Sequence, residues 1–211
     1  MRILLAAQES AGVQVLRRLA DSGHEVVAVL TEAPTGSSAI RGASVHALAE
    51  RLDLPVLSSG LVRDPAFAND VERRDVDLIL NIHSLHIMHG AVAASARIGA
   101  FNLHPGPLPR YAGLNSPSWA ILHGETEHGV TLHWMDAAID TGPIAYQTTF
   151  GIAPDDTALA VARRCMREGL TLVEALLDDA ATGPAAIPRH EQDLTLRSYF
   201  GREVPHDGIV R

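Results

Sequence analysis

Five apolar runs punctuate the first half of the chain: Met1 to Ala7, Glu25 to Thr31, Leu54 to Leu57, Val76 to Ile82 and Gly99 to His104. Between them lie segments with helical spacing. In Ser10 to Ser22 the residues Val13, Leu16, Leu19 and Ala20 share one side, and Gly23 ends the run. Ser44 to Leu52 starts at a serine suited to cap a helix. Asp64 to Arg74 reads as a polar surface helix and Ala91 to Ala96 as a short one. Strands buried on both faces need helices on both faces. The alternation therefore predicts an α/β fold with a mostly parallel sheet. The pattern changes after His104. A helix is expected over Ser116 to Leu122. Two strands, Gly129 to Trp134 and Pro143 to Ile152, are expected as an antiparallel pair on the same sheet. A long helix is expected over Ala158 to Leu177, with Cys165 in its core-facing stripe. Glu32 to Ala43 reads as a loop, and the tail from Gly183 is polar and contains prolines.

In parallel sheets ligands gather at the carboxyl ends of the strands. Asn102 and His104 stand at such an end, two residues apart. Asp140 comes 38 residues after Asn102, in the loop between the two later strands. An amide, an imidazole and a carboxylate are a sufficient set for acyl transfer without a covalent enzyme intermediate. The first two can donate to an oxygen that gains negative charge. The carboxylate is expected to orient the imidazole, raise its pKa and accept a proton from an attacking amine.

The rest of the composition mostly excludes. The chain has 211 residues and a formal net charge of −8, which argues against binding a nucleic-acid backbone. One cysteine allows neither an internal disulfide nor a cysteine-based zinc site. His83, His86 and His89 are spaced by three, but on a loop that spacing fixes no ligand geometry, and no metal is expected. The apolar start is too short for a signal peptide, and no run approaches the roughly 20 residues of a membrane helix. A cytoplasmic protein without membrane contact is the expectation. Asn115 and Ser116 read as helix-capping residues, with the acceptor side of the site as the alternative; Trp119 and Trp134 read as packing residues, with the acceptor channel as the alternative for Trp119; His123, His128 and His133 read as surface or neighbouring residues of the site, with His133 nearest to it.

Three blocks resemble a known family. They are Phe101-Asn102-Leu103-His104-Pro105-Gly106-Pro107-Leu108-Pro109-Arg110-Tyr111-Ala112-Gly113-Leu114-Asn115, Gly124 to His133, and Ile139-Asp140-Thr141-Gly142-Pro143-Ile144. Together they resemble the 10-formyltetrahydrofolate-dependent formyltransferases of glycinamide ribonucleotide, methionyl-tRNA and sugar nucleotides, most densely from Val76 to Gln147. The resemblance implies a Rossmann-like formyltransferase fold with Asn102, His104 and Asp140 as the catalytic trio. It implies that Leu85, His86, Ile87 and Met88 flank the folate. The loop carrying Asp136, Ile139 and Gly142 would close the other side of that pocket. Read from the residues alone, Leu85, Ile87 and Met88 are equally well core.

Departures from the family bear on the acceptor. Many members have Ser-Leu-Leu-Pro where this chain has Gly106-Pro107-Leu108-Pro109, so a serine on the acceptor side is missing. After the first strand, Gln8-Glu9-Ser10-Ala11-Gly12 replaces the glycine-rich phosphate loop of the glycinamide ribonucleotide enzymes and makes a poor phosphate cradle. The acidic balance also disfavours tRNA. The resemblance thus implies transfer from 10-formyltetrahydrofolate to a small-molecule or carrier-bound amine such as an amino acid or amino sugar. A 10-formyltetrahydrofolate hydrolase and a non-catalytic folate-binding module are the alternatives. A nucleotide-binding domain of another class lacks its Gly-x-Gly-x-x-Gly. Residues 1–190 are expected to form the catalytic domain. Residues 191–211 are expected to be a tail or linker start, and Tyr199 to Gly208 within them resembles the segment that follows the catalytic domain in longer relatives. An additional domain or a homo-oligomer is compatible with this.

Overall fold

The computed structural model describes residues 1–33, 44–84 and 86–202. Its central sheet has seven strands in the order β3-β2-β1-β4-β5-β7-β8. These are β1 (Arg2–Ala7), β2 (Glu25–Leu30), β3 (Val56–Leu57), β4 (Leu78–Ile82), β5 (Gly99–His104), β7 (Glu127–Trp134) and β8 (Ile144–Gly151). The first five are parallel. The last two run antiparallel at one edge, as the change of pattern after His104 predicts. A separate two-residue strand, β6 (Ala112–Gly113), pairs in parallel with β9 (Tyr199–Phe200), and the sequence carries no periodicity that announces it.

Helices cover both faces. Alternate side chains of β1 enter two cores: Ile3, Leu5 and Ala7 face α1 (Glu9–Ala20), α2 (Val45–Arg51) and α6 (Ala158–Thr182). Leu4 and Ala6 join a second cluster with residues of α3 (Ala68–Arg73) and α4 (Gly90–Ala94). Ile3, Leu4 and Leu5 are fully buried, and each such side chain contributes about 1.5–3 kcal/mol. Ser44 caps α2 through the Ala47 N–H, and Thr157 caps α6 through the Ala160 N–H. The helix α6 continues past Leu177 to Thr182, one turn beyond the expected end. Its alanines and aspartates sustain it until Gly183, where φ is +144°. Cys165 is buried in this helix, and burial pushes its thiol up to about 12. Among the described residues, no helix is long and apolar enough to cross a membrane.

The topology reverses between β1 and β4, since β2 and β3 lie on one side of β1 and β4, β5, β7 and β8 on the other. Strand ends at such a reversal splay apart and leave a crevice. The candidate site fills that crevice.

Candidate active site

Strand register builds the floor of the site. Asn81 of β4 lies opposite Asn102 of β5, and Asn102 lies opposite His133 of β7. Side chains one strand apart at the same register point to the same face, so these three form a row across the sheet. Asn81 Nδ2 donates to Asn102 Oδ1 at 2.7 Å. That bond fixes the amide orientation and turns Asn102 Nδ2 towards His133 Nε2 (3.0 Å) and Asp140 Oδ1 (3.2 Å). His133 Nδ1 donates to the Trp134 carbonyl at 2.8 Å, which fixes the ring with Nε2 towards Asn102 and Asp140.

Asp140 arrives from the β7–β8 loop. Its backbone is left-handed (φ +56°), an uncommon conformation for a residue other than glycine. The residue is only 8% exposed, yet both carboxylate oxygens have partners. Oδ2 accepts from the Gly113 N–H at 2.8 Å and lies 3.4 Å from His104 Nδ1; Oδ1 lies 3.4 Å from His133 Nε2. Burial alone would raise its pKa. The His133 ring, the field of His104 and the Gly113 N–H outweigh that and hold it at about 2. The group is a carboxylate at every physiological pH.

His104 is buried, and its Nε2 donates to the Tyr111 carbonyl at 2.7 Å. Burial pushes its pKa below the ordinary histidine value; Asp140 and the Tyr111 carbonyl pull upward without restoring it. Asp140 thus raises the imidazole as expected, but the net shift is downward. At 3.4 Å the carboxylate is too far to offset the loss of solvent. The turn after β5 is pinned by Thr131 of β7, whose hydroxyl donates to the Gly106 carbonyl and accepts from the Leu108 N–H. A Cβ at Gly106 would stand 2.7 Å from His104 Nε2 and 2.9 Å from the Tyr111 carbonyl, so the glycine is what lets them meet.

Ser116 behaves differently from its capping expectation. Asn115 precedes α5 (Ser116–Leu122) in a left-handed conformation and makes no side-chain cap. The Ser116 hydroxyl, fully buried, donates instead to the Tyr111 carbonyl at 2.8 Å and sits 3.3 Å from His104 Nε2. A buried hydroxyl carried on a helix thus approaches the imidazole. His128 also departs from its surface expectation: it is fully buried and donates from Nε2 to the Pro105 carbonyl at 2.9 Å.

A cavity of about 760 Å³ opens above this floor. Asn102, His104 and Asp140 line it together, as do His86, Ile87, Met88, Asp136 and Ile139. Ile87 is 70% exposed into it, whereas Met88 is buried and also belongs to the α3/α4 core. Leu85 lies outside the described residues. Gly142 does not line the cavity. A Cβ there would stand 1.9 Å from the Trp134 carbonyl, so it serves close backbone packing at the base of the loop. The opposite wall carries Leu114, Asn115, Leu159, Tyr199 and Arg202. At the ends of β1 and β4, Glu9 and His83 face each other 3.6 Å apart, and the His83 hydrogen bond keeps the Glu9 carboxyl below its usual range. His89 caps α4 by accepting from the Ala91 N–H. Among the described residues, no cluster of three or more histidine, cysteine or acidic side chains is placed to hold a metal. Trp119 stacks on Phe200 at 4.7 Å and Trp134 packs on Phe101 at 4.3 Å.

Sequence reasoning missed Asn81, the Gly113 N–H and the Tyr111 carbonyl, and read Ser116 as a cap. Only Asn81 left a signal: a polar residue inside the apolar run Leu78 to Ile82 needs a partner.

In fold, the chain is similar to the N-formyltransferase from Helicobacter canadensis solved with folinic acid and dTDP-3-aminofucose. The TM-score is 0.73 at 22% identity, over 95% of this chain and 70% of that one. It is similar to a sugar N-formyltransferase from Shewanella sp FDAARGOS_354, with a TM-score of 0.73 at 18% identity over 100% and 83%. The phosphoribosylglycinamide formyltransferase from Bacillus halodurans gives 0.71 at 22% identity over 85% and 97%. The formyl transferase family model matches residues 1–176, most of the chain, and the protein therefore belongs to the formyl transferase family.

Proposed function

We propose that the protein transfers the formyl group of 10-formyltetrahydrofolate directly to the amine of a small-molecule or carrier-bound acceptor. The observation that carries this reading is the ionised Asp140 on the cavity floor, joined to the Asn102 amide and flanked by His104. A cavity of about 760 Å³ is in the range of small-molecule sites. Ile87, Met88 and Ile139 offer apolar contact for a pterin ring beside that floor, so the residues fit the folate. The bound folate supplies the formyl carbon on its N10.

The residues then divide the work. Asn102 Nδ2 and the His104 ring border the place where negative charge builds on the formyl oxygen as the acceptor nitrogen adds to the carbon. Asp140 takes the proton that this nitrogen sheds, directly or through water. As it does so, its pull on the Asn102 hydrogen weakens and that hydrogen turns to the oxygen. His104, 3.4 Å from Asp140, passes the proton towards N10 as the carbon–nitrogen bond breaks.

Ser116, His104 and Asp140 form a chain like that of serine hydrolases, but the order does not give a nucleophile. The Ser116 oxygen is sealed from the cavity and spends its proton on the Tyr111 carbonyl. An acyl-enzyme is therefore disfavoured against direct transfer. The wall from Leu114 to Tyr199 gives room for an acceptor larger than water, which favours transfer over hydrolysis. At the strand ends the ionised Glu9 repels a phosphate, so an amino acid, an amino sugar or a carrier-bound amine suits this cavity better than a phosphorylated one.

The test is tetrahydrofolate release from 10-formyltetrahydrofolate, monitored by ultraviolet absorbance with a panel of amino acids, amino sugars and carrier-bound amines. Release that depends on one class of amine supports the proposal and identifies the acceptor class. Amine-independent release would replace it with hydrolysis.

A further inference from the structure

Residues beyond 176, where the family match ends, run back along the two loops that hold the candidate site. The Trp134 indole donates to the Pro188 carbonyl at 2.9 Å, and His190 exchanges backbone hydrogen bonds of 2.8 and 2.9 Å with Ile144. The chain then passes under the Asp140 loop. Gln192 Nε2 donates to the carbonyls of Asp140 (3.0 Å) and Gly142 (2.7 Å), and the Arg197 guanidinium donates to that of Ile139 at 3.1 Å. Further on, Ser198 receives the Tyr111 N–H on its hydroxyl at 2.8 Å and the Ala112 N–H on its carbonyl at 2.9 Å. The Phe200 carbonyl accepts from the Leu114 N–H at 2.8 Å. Between those anchors stands Gly113, whose N–H is the donor to Asp140 Oδ2. One strap therefore grips both the main chain that carries the Asp140 carboxylate and the segment whose amide orients it.

Asp140 needs such a grip. Its left-handed backbone persists only where its surroundings over-determine it. On one side, Asp136 accepts from the Thr141 hydroxyl at 2.8 Å and the Ala138 N–H at 3.1 Å, closing the loop. On the other side the two carbonyls that bracket Thr141 are held by a single side-chain amide, Gln192. We propose that Gln192 is a positioning residue for the transfer reaction, clamping the carbonyls of Asp140 and Gly142 so that the Asp140 carboxylate stays against the Gly113 N–H and Asn102. In its kinetic part this rests on the formyl-transfer reading above.

The test compares Gln192→Met, which keeps the length and loses the donor, with Gln192→Lys, which restores a donor able to reach both carbonyls. The side-chain nitrogen resonances of His104 and His133 in histidine-labelled protein report the place of the carboxylate without turnover. Gln192→Met is expected to shift both imidazoles and lower kcat by about 10- to 100-fold. Affinity for 5-formyltetrahydrofolate should stay within about twofold and Gln192→Lys should recover kcat to within about threefold of wild type. Unchanged imidazole resonances in Gln192→Met would overturn the proposal whether or not the wild-type protein turns over. An equal loss of folate affinity and melting temperature in both variants, without rescue, would overturn it as well, leaving only a structural role. A wild-type protein that fails to bind 5-formyltetrahydrofolate counts against the function and leaves the imidazole readout to decide on Gln192.

Discussion

Asp140→Asn separates the two jobs that the carboxylate performs. The substitution keeps the size of the side chain and removes its charge. In the native protein burial opposes ionisation, but the surrounding donors win and bring the pKa from 3.8 down to about 2. A shift of one unit corresponds to about 1.4 kcal/mol, so the site favours the ionised carboxylate by about 2 kcal/mol. Because the folded pKa is depressed, this contribution is complete above pH 4. It disappears as pH falls through about 2. The asparagine variant lacks it at every pH. Its amide has one oxygen for the Gly113 N–H, and its NH2 then faces the Asn102 NH2, donor against donor. Urea unfolding at pH 7 should therefore show the variant less stable by about 2 kcal/mol, with the gap closing towards pH 3. Turnover should fall further, by about 10²–10⁴-fold, because the group that accepts the proton of the acceptor nitrogen is gone. Affinity for 5-formyltetrahydrofolate should change little. A variant with kcat within about threefold of wild type would refute the assignment of the proton to Asp140. A stability gap that does not change between pH 7 and pH 3 would refute the account of why the carboxylate is ionised.

Ser116→Ala should lower kcat by less than about tenfold and form no formyl-enzyme in intact-mass spectra; complete loss of activity would restore the serine as a nucleophile. Gly106→Ser, which reinstates the residue common among relatives, should cost about 1–3 kcal/mol in thermal or urea unfolding, because its Cβ meets His104 Nε2 at 2.7 Å and Ser116 already occupies the opposite approach. Glu9→Lys should lower the KM for phosphorylated amines by about tenfold and leave the affinity for 5-formyltetrahydrofolate unchanged. A wild-type acceptor profile in that variant would show that the acceptor does not reach the ends of β1 and β4.

Much of the frame was legible in the residues, for identifiable reasons. Apart from the two half-buried residues of β3, the parallel strands are largely runs of buried apolar side chains, and Gly99 to His104 forms β5 with the expected limits. The antiparallel pair after His104 was legible from the change of pattern, and it lies at one edge of the sheet. The trio was legible because two of its members sit on a strand end and the third lies in the next β–β loop. The partners that hold the trio in place were harder to see. The Tyr111 carbonyl and the Gly113 N–H are main-chain groups, and any residue can present them. Gln192 is one amide in a polar stretch, 52 residues from Asp140, and no local pattern marks it. The β6–β9 pairing involves two residues on each side, too few for a period of two to register.

The reversed direction of the His104 pKa shows where spacing stops being a guide. Adjacency of an imidazole and a carboxylate suggests a raised pKa, and the rule holds when the pair is close and partly wet. Here the separation is 3.4 Å, His104 is 3% exposed, and its Nε2 hydrogen is committed to a carbonyl. Loss of solvent therefore decides the sign. That outcome suits the chemistry proposed. A histidine already protonated would tie up Asp140 in a full ion pair and weaken it as a proton acceptor. A neutral one leaves the carboxylate outside a full ion pair until the acceptor nitrogen adds, and only then does the pair gain a proton to hand on. The same burial that defeats the simple expectation keeps the two groups in the states that direct transfer requires.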